Sequence, residues 1–250
     1  MPTLSRLRWL VVPICVIEIS ACSSTVSHDG VAGTATTSST SPKQDVAADT
    51  AAAQAASLKL SDFPAGWTSA PSSSTSGPSG LDAEFAKCMG VSQSELSKPP
   101  ARAVSPDFSN SDNTVSSTVG YRATSAEQKA AFNLYASPKT PGCLTTAVGA
   151  LINDRIKHPP TGSTLPPEVT VGQSTVNQMS FPPYGDQSIA YQVKIPVTAS
   201  GLSISVYVDE IVVIKGRADV AMSFQGSPSP VPTDQEQHYT DLVVGRLTNT

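Results

Sequence analysis

The chain is 250 residues long, enough for one large domain or two small ones, and it carries a formal net charge of −4. Only 14% of its residues are charged and no Lys/Arg cluster occurs, so it lacks the electrostatic footprint of a nucleic-acid binder and of a protein held on anionic lipid by charge. Twenty-one prolines and an uneven spread of Ser, Thr and Ala point instead to one domain carrying an appendage.

Residues 1–21 read as a signal peptide: Arg6 and Arg8 form a positive start, and Trp9 to Ile17 a short apolar stretch. Pro13 and Glu18 bracket that stretch, which falls short of the roughly 20 apolar residues a membrane span needs. Ile19-Ser20-Ala21-Cys22 then resembles the lipobox of bacterial lipoproteins. The resemblance implies that Cys22 takes a diacylglyceryl group and becomes the new N-terminus, anchoring the chain to the membrane. A thiol is the nucleophilic handle for the lipid, and the small Ser20 and Ala21 admit the backbone to a peptidase. Ordinary signal-peptide cleavage is the alternative. Cys15 is a poor second lipidation candidate, because the apolar stretch before it is too short.

Residues 22–57 contain Ser, Thr, Ala and Gly with few large apolar groups, so a disordered tether is expected there. The domain is expected to occupy residues 58–250. It opens with Leu58-Lys59-Leu60-Ser61-Asp62-Phe63-Pro64-Ala65-Gly66-Trp67, where Trp67 beside a Pro/Gly turn plugs the edge of a core or, alternatively, stacks on a ligand. Pro71 to Gly80 reads as a surface loop. Leu81 to Met89 is a short amphipathic helix, and Val115, Val119 and Tyr121 form one face of a strand. Ser125 and Gln128 form a capping box for a helix that turns Leu134 and Tyr135 inward. Leu144, Val148, Leu151 and Ile152 mark another helix, ending before Pro159.

Beyond this point the period changes to two. Ile189, Tyr191, Val193, Ile195 and Val197 alternate with polar residues, as do Ile204, Val206 and Val208, and then Ala218, Val220, Met222 and Phe224 after a turn near Lys215-Gly216. Ile211 to Ile214 is apolar on both faces, which places its strand centrally and covered on both sides. Thr233 and Glu236 read as a second capping box, and Tyr239, Leu242, Val243 and Leu247 set a last helix on the sheet. Short turns between strands mean antiparallel pairing, so the expected class is α+β: an antiparallel sheet packed by helices.

Cys88 and Cys143 remain once Cys15 and Cys22 are assigned. An even pair in an exported chain reads as one disulfide, with two buried thiols as the alternative. The pair stands too far apart in sequence, and with too few companions, for a thiolate metal site. Nor is there a Gly-rich phosphate loop, a Gly-x-Ser-x-Gly elbow or a His-Glu-x-x-His motif, so neither cofactor nor metal is expected. His28 falls in the tether, His158 at a helix end and His238 on the exposed side of the last helix. Asp209 and Glu210 lie on opposite faces of a strand and so are not an acid–base pair; Glu210, beside Val208 and Val212, is expected at a rim.

The order of lipobox, tether, Leu-Ser-Asp-Phe-Pro-Ala-Gly-Trp opening, two cysteines and strands ending near Ile211 to Arg217 is similar to secreted lipoproteins of mycobacteria and related actinobacteria. In outline it also resembles the extracytoplasmic sensor domains of mycobacterial receptor kinases. The resemblance implies an envelope-facing, non-catalytic binding or sensing module on the outer face of the cell membrane. Its expected partners are the membrane, through the lipid, and an envelope protein or an apolar small molecule. A lipid or glycolipid carrier is the alternative, and a cell-wall hydrolase a third reading.

Overall fold

The computed structural model describes residues 44–72, 80–96, 98–158, 169–199 and 201–247. The signal peptide, Cys22, His28 and the tether as far as Lys43 lie outside the described residues, as does most of the loop after Pro71.

Among the described residues the chain is α+β, with five α-helices and nine strands in one antiparallel sheet. The strands are β1 (Thr68–Ala70), β2 (Ala101–Val104), β3 (Asp107–Ser109), β4 (Asn113–Tyr121), β5 (Thr170–Val171), β6 (Thr175–Met179), β7 (Gln187–Ala199), β8 (Leu202–Lys215) and β9 (Ala218–Gly226). Their order is β1-β3-β4-β9-β8-β7-β5, with β2 also on β4 and β6 also on β7. The long β8 sits between β7 and β9, which is why Ile211 to Ile214 is apolar on both faces.

The helices are α1 (Val46–Ala56), α2 (Gly80–Met89), α3 (Ser125–Tyr135), α4 (Thr140–Lys157) and α5 (Thr233–Arg246). Helices α1 and α5 cover one face, where Ala53, Ala56, Tyr239 and Val243 meet Val119, Ile211, Val220 and Phe224. Helices α2, α3 and α4 cover the other, where Leu81, Phe85, Leu144 and Val148 meet Tyr191, Val193, Ile195 and Val208. The period of two in β7, β8 and β9 sorts alternate residues between these two cores.

The domain begins earlier than composition suggests. Instead of a tether running to residue 57, Val46–Ala56 is a helix on β2 and β4. Asp45 caps it by accepting from the Ala48 N–H at 3.0 Å, and alanine is the best helix former. Its buried stripe of Asp49, Ala53 and Ala56 has no large side chain, so a search for bulky apolar residues passes over it. Small residues let the helix lie close to the sheet.

Both expected capping boxes are displaced. Helix α3 is capped one residue earlier, by Thr124, whose hydroxyl accepts from the Glu127 N–H at 3.2 Å. Gln128 turns inward and is buried. At α5 the cap position is Pro232, which offers no side-chain acceptor, and Glu236 points into the sheet rather than back to the helix start.

Candidate functional site

The segment from Leu58 to Trp67 wraps over the α1/α5 face and ends in a tight turn. The Trp67 N–H reaches back to the Pro64 carbonyl at 3.4 Å, and Gly66 takes the left-handed φ of +97° that such a turn asks of its third residue. The turn delivers Trp67 onto Phe63, with ring centroids 4.7 Å apart. Phe63 in turn packs on Phe108 at 4.6 Å and stacks on Tyr239 at 4.5 Å, so its ring is the hub of the cluster. Trp67 meets Tyr239 edge-on at 6.3 Å.

Between this cluster and the first turns of α5 lies a groove of about 490 Å³. Phe63, Pro64, Trp67 and Tyr239 make its apolar lining. Asp234, Gln235 and His238 project from one face of α5, with Asn110 and Asp62 completing the lining. Trp67 and His238, each with an unremarkable explanation in sequence terms, thus border the same space. The sequence signal that could have joined them is the Phe-Pro-Ala-Gly-Trp turn; its distance of 171 residues from His238 hides the juxtaposition.

Asp62 is committed inside the wall. Arg246 at the end of α5 grips it with two hydrogen bonds, 2.6 and 2.8 Å, and the Lys59 N–H adds one at 2.9 Å. The guanidinium holds the Asp62 carboxyl below its ordinary range against the opposing effect of burial. Burial, then the Asp62 charge, pushes the Tyr239 phenol up. A similar clasp fixes α1: Arg217 Nη2 and Nη1 donate to Asp49 at 2.9 and 3.0 Å, while Gln44 donates to Asp49 and to the Tyr121 carbonyl.

Away from the groove, the sheet interior holds several acids. Asp209 faces α5 and Glu236, whose side chains are 1% and 0% exposed. Each carboxyl opposes ionisation of the other, and neither Glu236 oxygen has a hydrogen-bond partner among the described residues. Burial drives both upward, and the Asp209 charge drives Glu236 further. Glu210 faces the opposite way, toward α3, as its alternation with Asp209 requires. It does not sit at a rim: its strand is central, Ser223 donates to it at 2.6 Å, and burial pushes it up to about 8. Asp219 on the same face is pushed by burial to about 6.

Cys88 of α2 and Cys143 of α4 are joined in a disulfide with Cα atoms 5.4 Å apart, and it lies on the opposite sheet face from the groove. His158 closes α4 in an exposed contact with Asp154 at 3.0 Å. Among the described residues no group of three or more His, Cys, Asp or Glu is placed to hold a metal, and no helix is long and apolar enough to cross a membrane.

These features define an α+β domain with a groove at one end of its last helix. No known protein family matches the chain, and no curated protein does. Among solved structures, the extracellular domain of PknH from Mycobacterium tuberculosis is distantly similar: 12% identical, with a TM-score of 0.37 over 79% of this chain and 95% of that one.

Proposed function

We propose that this protein is a non-catalytic lipoprotein, held by a lipid on Cys22 at the extracytoplasmic face of the membrane, whose domain binds a ligand in the Trp67 groove. The observation that carries the binding reading is the groove: an aromatic ring at a surface opening, backed by a rigid ring cluster and faced by polar side chains of one helix. Small-ligand sites combine an apolar lining with a few convergent polar groups in about 300–1,000 Å³, and this groove has that make-up. Location is supported by the lipobox residues Ile19 to Cys22 and by the disulfide, a bond that persists in oxidising compartments.

The mixed lining bears on the carrier alternative. Asp234, Gln235 and His238 would leave polar groups against an acyl chain, at a desolvation cost that a lipid does not offset. Glu210 and Ser223 form a hydrogen bond beneath α3, and we assign that pair to the packing of the sheet rather than to hydrolysis.

Two measurements test the reading. Cys22→Ala should move the protein from the membrane fraction to the soluble exported fraction; continued membrane association refutes lipidation at that residue. Native mass spectrometry of the full-length protein, purified from the organism that makes it, should find a small molecule that Trp67→Ala loses. A bound species unaffected by that substitution puts the site elsewhere.

A further inference from the structure

The groove's chemistry narrows its ligand, on the assumption that the binding reading above holds. We propose that the groove takes a neutral saccharide, with a pyranose ring laid against Trp67 and its hydroxyls held by Asp234, Gln235 and His238.

Of the two carboxylates that line the groove, Asp62 has its charge offset by Arg246 while Asp234 is exposed, and no Lys or Arg lines the groove among the described residues. Arg246, which grips the groove's Asp62 from behind, already spends two N–H groups on it. An anionic ligand would therefore meet an acceptor-rich rim with no cation to receive it. An organic cation fares little better. Such ligands are held by several open ring faces around the charge, but Phe63 and Tyr239 are stacked on each other at 4.5 Å and each is less than a tenth exposed. The Asp62 charge, moreover, is neutralised by its own clasp. Trp67 is left as the ring that reaches the opening.

What matches one ring and a polar rim is a ligand with an apolar face and a polar edge. A pyranose offers its C–H face to the indole and its hydroxyls sideways. The rim can satisfy both roles of a hydroxyl: Asp234 accepts, while Gln235 and His238 can each donate and accept. Asp234 and His238 stand one turn apart on α5 at i and i+4, with Gln235 flanking them, so a rigid helix sets their spacing. The Phe63 hub fixes Trp67 from behind, so little side-chain entropy is lost on binding.

The test uses the mature protein, beginning at Cys22, in a polyoxyethylene detergent, which has no sugar headgroup; cleavage before Cys22 removes Trp9, so Trp67 is its sole tryptophan. Maltotriose, cellotriose, mannotriose and chitotriose are titrated, with tetramethylammonium chloride and inorganic phosphate as charged probes. At least one trisaccharide should give a saturable change in Trp67 emission. By calorimetry, Trp67→Ala should weaken it at least about tenfold, Trp67→Phe less, and the exposed-rim variant Asp234→Asn severalfold. Asp234→Asn removes one carboxylate from the first turn of α5 and should lower the unfolding temperature by only a few degrees, so a severalfold loss at a temperature where the variant is folded reads as contact rather than misfolding. Saturation by tetramethylammonium or phosphate in place of the sugars overturns the proposal, as does a sugar affinity that Trp67→Ala and Asp234→Asn both leave unchanged. If no trisaccharide binds at tens of millimolar, the proposal fails. In that case a co-purifying species lost on Trp67→Ala would still uphold the binding site, and its absence would remove both.

Discussion

Asp209 and Glu236 meet in the interior because two opposite demands fall on one place. Strand alternation sends Asp209 toward α5, and the face of α5 that carries Tyr239 and Val243 also carries Glu236. Two ionised carboxylates cannot share a dry site, so the pair keeps a proton that the unfolded chain would release. The folded state then binds more protons than the unfolded one, and stability falls as pH rises. Glu236→Gln keeps a donor for Asp209 and has no proton to lose. Thermal unfolding should therefore decline less steeply from neutral to alkaline pH in that variant than in the wild type, with little difference near pH 5. An unchanged slope would show that the pair is already ionised at neutral pH. At Asp49 the neighbour is a guanidinium and the sign is opposite. Arg217 is 22% exposed and the Asp49 side chain 8%, so screening is modest. Arg217→Ala should cost about 1.5–3 kcal/mol, the range for charged hydrogen bonds, read as a shift in urea midpoint. It should also raise hydrogen exchange in Val46–Ala56 before the rest of the domain.

Among the elements, α1 and α2 depend on tertiary partners in different ways. Helix α1 is short and buries only small side chains, so its propensity alone would leave it marginal in water. Asp49, Gln44 and the Leu58 N–H bond to Ser117 (3.0 Å) tie its two ends to β4 and to the β8–β9 turn. Helix α2 is held to α4 by the disulfide, which closes a segment with a sequence separation of 55. Chain entropy assigns such a loop about 4 kcal/mol. Reduction should lower the unfolding temperature accordingly, and Cys88→Ser/Cys143→Ser should match the reduced protein while insensitive to reductant. The cap positions were less legible than the helices themselves. Thr124-Ser125 and Pro232-Thr233 each offer neighbouring candidates, and backbone φ decides which one is outside the helix.

For the whole molecule, the buried acids act together. Glu210 at about 8, Asp219 at about 6 and the Asp209–Glu236 pair all lie above their ordinary values, so each stabilises most at low pH and loses that contribution as pH climbs from about 4 toward 8. Asp49 and Asp62 lie below theirs, and the stability they contribute above pH 3.8 is lost as pH falls through their folded values. The lowered acids lose stability toward acid and the raised ones toward alkali, so maximum thermal stability is expected in the mildly acidic region rather than at neutrality. A scan of unfolding temperature from pH 3 to 9 checks it; a maximum above pH 7 would contradict the burial of these acids.

The strands of the C-terminal half, the α+β class and the pairing of Cys88 with Cys143 were readable from the chain, because period-two alternation, helical stripes and cysteine parity are local or countable properties. Residues 46–56 read as tether by composition yet fold as a helix, because alanines lack the bulk by which a buried face is recognised in sequence. Glu236 passed for a cap because the rule that identifies caps knows nothing of the strand opposite. The groove belongs wholly to the tertiary structure. Trp67, Asn110 and His238 come from three distant stretches, and only the sheet order, which places β1 and β3 beside the start of α5, brings them to one opening.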